Sequence, residues 1–238
     1  MIPFCEIDAS AELPEGASFW MPSPRELEEK CESGEGSFGY FHDTWILGGF
    51  ELSEAKDLVD EERKLLRLAD QYSRSPREFE EIVSLLEGPE VADYLPSRLA
   101  DTELWEAMLD PTGADREPPF YGLELGVAGL SVTLSSLGFV PVASCRSHHD
   151  RSQPSWSQVP VVYLCTTRAA GEWLSPLARR TGCGFSINED RPDALVIKAP
   201  SVEHSISLAE AIIRESGTAP AIVLSGGPGA EYFEPEDL

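Results

Sequence analysis

Basic side chains are scarce in this sequence: 18 Lys and Arg stand against 42 Asp and Glu, a formal charge of −24. No run of Lys or Arg occurs anywhere, and a phosphate backbone or an anionic bilayer is held by clustered cations that displace its counterions. Direct binding of nucleic acid or of a membrane surface is therefore not expected. Long apolar runs are lacking too. No window reaches the roughly 18 apolar residues of a membrane span, and the opening MIPFCEIDAS has no basic stretch followed by an apolar one. A cytoplasmic protein is expected. Cysteine is limited to five residues, an odd number in a mid-sized chain, which fits reduced thiols better than a disulfide framework.

What is present is enough for a core. The chain has 238 residues, 42% of them hydrophobic, room for one large domain or two small ones. The acid is uneven: 29 Asp and Glu face 10 Lys and Arg in residues 1–120, and 13 face 8 in residues 121–238, so about −19 of the charge lies in the first part. Residues 1–50 are rich in Gly, Pro, Ser and aromatics, with one short helix expected from Ser23, where SPRE combines a serine cap, proline at the first helical position and Glu26. The same tetrapeptide recurs at Ser75. Between Leu52 and Leu109 the pattern is helical, with Ala55, Leu58, Val59, Leu65, Leu66 and Ala69 on one stripe and Phe79, Ile82, Val83 and Leu86 on a second. Shorter helices around Tyr94 and Trp105 follow. DPTGADREPP, residues 110–119, has no periodicity and reads as a linker. A boundary near residue 118 is expected, with an acidic, mainly helical region at 1–118 and a second domain at 119–238 that ends in a short acidic tail.

Beyond the linker, Leu123, Val127, Leu130, Leu134 and Leu137 form one apolar helix face ended by Gly138. FVPVAS, PVVYLCTT, GFSI and ALVIKA are four β-like runs, with a helix from Trp173 to Arg180 after the second and a last helix capped by Ser201. The order is α-β-β-α-β-β-α. It predicts an α+β fold in which helices cover one face of a small mixed sheet.

Chemistry-bearing residues concentrate in VASCRSHHD, residues 142–150. Cys145 is placed at the end of the first strand, with His148 and His149 on the loop after it, a position where a rigid scaffold presents mobile side chains. Cys145 and His148 have the spacing of a zinc-ligand pair, which Cys165 or Cys183 would complete. Alternatively Cys145 is a nucleophile, its thiolate favoured by Arg146 and its proton taken by His148. Ser144, Arg146 and His149 are the candidate binding residues around it. A buried small thiol beside solvated histidines is the plain structural reading.

Residues 122–149, GLELGVAGLSVTLSSLGFVPVASCRSHH, with the following VPVVYLCTT, resemble a module of bacterial proteins in which an amphipathic helix leads to a strand ending in Ser-Cys-x-Gly-His. More distantly they are similar to the wybutosine-synthesis family of tRNA modification. Ser144, Cys145 and His148 carry the match, and Ser147 stands where the motif has glycine. The resemblance implies an α+β fold and attention to Cys145, while the acidic composition speaks against a tRNA substrate. Near the C-terminus, Ser225-Gly226-Gly227-Pro228-Gly229 resembles a loop of class I glutamine amidotransferases. That family also needs a Gly-x-Cys-x-Gly elbow and a His-x-Glu, and neither occurs here. Two functional expectations follow. One is a non-catalytic accessory or interaction subunit whose acidic face meets a basic protein partner, and the other is a Cys/His-centred or zinc-assisted enzyme acting at residues 144–150.

Overall fold

A computed structural model describes residues 1–23, 50–87, 99, 102–103, 123–148, 157–188 and 191–222. The first regular element is helix α1, Leu52–Tyr72, whose stripe of Ala55, Val59, Leu65, Leu66, Leu68 and Ala69 is buried. Glu62 falls on the same stripe and is buried with it. Helix α2, Pro76–Glu87, starts at the expected serine: Ser75 Oγ accepts from the Glu78 N–H at 3.1 Å, and the Glu78 carboxylate accepts from the Arg74 N–H at 2.6 Å. Its inner face is Phe79, Ile82, Val83 and Leu86. The helix expected from Ser23 and those around Tyr94 and Trp105 lie outside the described residues.

The second half contains α3 (Ala128–Ser135), β1 (Val140–Cys145), β2 (Val161–Cys165), α4 (Arg168–Thr181), β3 (Gly184–Asn188), β4 (Arg191–Lys198) and α5 (Val202–Glu215). The order is the expected one and the class is α+β. The sheet is not mixed, however. Its strands lie in the order β1-β2-β4-β3 and every neighbouring pair is antiparallel. The helical crossover α4 carries the chain from β2 to β3 in the same direction, which would give a parallel pair, but β4 folds back between them.

Helix α3 is shorter than the stripe from Leu123 to Leu137 suggests, and all eight of its residues are buried. It packs against α1, α5 and β1, so the polar Ser131, Thr133 and Ser135 are enclosed along with Leu130 and Leu134. Gly138, at φ 85°, ends the turn after it. Helix α4 begins at Thr167, whose hydroxyl accepts from the Ala170 N–H, and stops at Gly182 in the left-handed region.

The helices cover one face of the sheet, as expected. Val162, Leu164, Leu195 and Ile197 on that face join Leu174, Ile206 and Ile212 in one apolar cluster that also holds Val59, Leu66, Phe79 and Ile82. The expected boundary near residue 118 lies outside the described residues, but side chains from both sides of it fill this one cluster. On the opposite face Val142, Cys165 and Ala194 pack with Met21 and the part-buried Trp20 and Ile222. That contact is made by an N-terminal strap. The Phe185 N–H donates to Ser10 O at 2.6 Å, Ser18 N–H to Pro192 O at 2.9 Å, and Ser175 Oγ to Ala11 O at 2.6 Å. The strap thus runs along edge strand β3. Among the described residues no helix is long and apolar enough to cross a membrane.

Candidate functional site

The turn before α3 leaves several backbone amides without helical partners, and buried amides need acceptors. Glutamates from two other helices supply them. The Leu125 N–H donates to Glu87 Oε1 at 2.6 Å, the Gly126 N–H to Glu62 Oε1 at 2.6 Å, and the Gly129 N–H to Glu62 Oε2 at 3.0 Å. Position 129 must be glycine for this contact, because a Cβ there would overlap the Glu62 carboxylate and lie 2.8 Å from Val59 Cγ2. Burial pushes the Glu62 carboxyl up to about 7, against the lowering effect of the amides it accepts from.

The turn so held carries Glu124, which reaches the end of β1. One of its oxygens accepts from the Arg146 N–H at 2.6 Å, and the other is 2.9 Å from His148 Nε2. Carboxylate oxygen, His148 ring nitrogen and Cys145 Sγ lie within 4.8 Å of one another, all three residues being half-buried. Backbone amides of Ser147 and Ser157 hydrogen-bond to the Cys145 sulfur. Burial, and then the Glu124 charge, nevertheless push the Cys145 thiol above its ordinary value. A nucleophilic cysteine needs the opposite shift.

Arg146 favours the Cys145 thiolate through its charge, a smaller effect than the burial and the Glu124 charge that raise the thiol. The Arg146 side chain is 2% exposed and turns inward, where NH1 pairs with Glu87 and NH2 donates to Ser84 Oγ at 3.2 Å. Its Nε has no hydrogen-bond partner among the described residues. Glu87 is itself pushed up by burial, with the Arg146 charge opposing the shift. Ser144 is half-buried within β1 and pairs in register with Val162. His149 lies outside the described residues.

Neither cysteine proposed from spacing to complete a metal site is near. Register pairs Cys165 with Val140 and Cys145 with Val161, so the two sulfurs belong to opposite ends of a strand pair, about 15 Å apart at the strand rise. Cys183 is buried beside α5, where it donates to His204 O, and its thiol is pushed up to about 12 by burial. His204 Nδ1 is 2.8 Å from the Ser201 hydroxyl. The third member of the cluster is instead Glu124, which the spacing of VASCRSHHD could not reveal. Its one signal in the sequence is an acid between Leu123 and Leu125 on an otherwise apolar stretch. Comparison with protein-family models, with curated proteins and with solved structures finds no match.

Proposed function

We propose that the protein is a zinc-assisted enzyme whose metal is held by Glu124, Cys145 and His148, with a fourth position left for water or substrate. The observation that supports this reading is the convergence of three donor atoms within 4.8 Å, brought together from the turn before α3 and from the end of β1. Tetrahedral zinc with bonds of about 2.0–2.3 Å sets its ligand atoms about 3.3–3.8 Å apart, so small rotations close the set. A thiolate and an imidazole favour zinc over magnesium or calcium. The metal would displace the Cys145 proton that burial retains, and amide donors to the sulfur suit a metal-bound thiolate. Three protein ligands and an open position are the catalytic pattern of zinc, which lowers the pKa of its bound water to about 7 and so generates hydroxide for addition to a polarised carbonyl or phosphoryl group. The test is metal analysis of the purified chain with Co²⁺ substitution. A stoichiometric ion and a sulfur-to-cobalt charge-transfer band, both lost in Cys145→Ser, are expected. A metal-free protein that binds zinc no better than Cys145→Ser would refute it.

A second reading, an interaction subunit with a basic protein partner, is favoured by the strap. Residues 1–23 contain four acids and no Lys or Arg, and Glu6, Asp8, Glu12 and Glu15 are all exposed next to an exposed Phe4. Such a surface speeds encounter with a cationic one in a salt-dependent way. Replacing Glu6, Asp8 and Glu15 by Gln should then slow association with a captured partner and flatten its salt dependence. An association rate unchanged by these substitutions would exclude the strap as the contact.

A further inference from the structure

We infer that Glu62 is a pH-sensitive positioning residue for Glu124: its ionised carboxylate clamps the turn that carries this ligand, and protonation releases one side of the clamp. The inference rests on the metal reading above. It starts from geometry. Glu62 is fully buried on α1 and spends one oxygen on the Gly126 amide and the other on the Gly129 amide. A protonated carboxyl carries an O–H on one of those oxygens, which would face an N–H, so one amide loses its acceptor. Gly126 is two residues from Glu124, whose own oxygens are committed to the Arg146 N–H and to His148. Loosening the turn therefore moves the one ligand that does not come from the β1 end.

The surroundings of Glu62 place this release in the neutral range. Helix α2 contributes Glu87, whose like charge adds to the effect of burial, and α3 has no ionisable side chain. Helix α5 contributes Glu210, which pairs with Arg63 of α1 in a partly exposed ion pair. Among the described residues the buried cation Arg146 is paired with Glu87, and the force opposing burial at Glu62 comes from the amides.

The test follows the Gly126 and Gly129 amide resonances of the metal-free full chain from about pH 5.5 to about pH 8.5, together with zinc affinity of wild type and Glu62→Gln at both ends. Both amides should titrate with one midpoint near neutrality, in step with the Glu62 carboxyl carbon. In Glu62→Gln that titration should vanish. The variant should bind zinc about 10-fold more weakly than wild type at the alkaline end and equally at the acidic end. Amides that do not titrate, or a wild-type to variant ratio that is the same at both ends, would overturn the inference. Zinc binding with flat amides removes the clamp alone, whereas titrating amides without zinc binding remove the metal reading and keep the clamp. If Glu62→Gln does not fold, the wild-type amide and carboxyl titrations decide by themselves.

Discussion

Ser147 has φ 88°, in the left-handed region that side chains with a Cβ avoid. The bend places the Ser147 amide on the Cys145 sulfur and turns the chain so that His148 meets Glu124. Glycine would relieve about 1–2 kcal/mol of backbone strain while losing about 0.4–1 kcal/mol through its freer unfolded chain. Ser147→Gly is therefore expected to raise stability by about 0.5–1 kcal/mol, read from urea unfolding. A destabilised variant would show that the serine side chain does more than tolerate the bend. At the same scale, Glu62, Glu87 and Glu124 show acid turned inward: their carboxylates accept from buried or part-buried backbone amides, so not every acid contributes to the surface field.

At the scale of elements, the sheet has two edges and treats them differently. Edge strand β1 carries Pro141 and a register shift between Pro141 and Ala143, both of which interrupt a ladder that another chain could extend. Edge strand β3 has no proline, its register shift falls only at its end, between Ile187 and Asn188, and the strap covers it through the Ser10–Phe185 bridge. The fit is close, since a Cβ at Gly184 would lie 2.8 Å from Ala9 Cβ. Removing residues 1–21 is expected to bare the β3 edge and the apolar patch at Val142 and Ala194, giving concentration-dependent self-association in sedimentation. A shortened chain that stays monomeric with unchanged unfolding would assign the strap no protective part.

At the scale of the molecule, α1 and α2 lie before the composition change near residue 118 yet share their core with α3, α5 and the sheet. Phe79 and Ile82 are each 1% exposed, and Leu130 and Leu134 are equally enclosed. Separating the halves would return that apolar surface to water, at about 25 cal/mol for each Å². Cleavage within residues 110–119 is thus expected to leave two fragments that co-elute in native gel filtration and part only in denaturant. A C-terminal fragment that elutes alone, folded and monomeric, would restore two independent domains.

Periodicity, caps and composition by themselves determined the α+β class, the order α-β-β-α-β-β-α, the start of α2 at Ser75 and the burial of the α1 and α2 stripes, because each of these is set by residues a few positions apart. They also singled out Cys145 and His148. Only the tertiary structure decided that the sheet is antiparallel throughout, since strand neighbours are chosen by where β4 folds back and not by any local pattern. It alone brought Glu124 to Cys145 and His148, across more than 20 positions of sequence, and set Cys165 at the far end of the strand pair. Glu62 on an apolar stripe and Glu124 between leucines were visible as misplaced acids, but their roles depend on backbone amides from other elements, and amides carry no sequence signature.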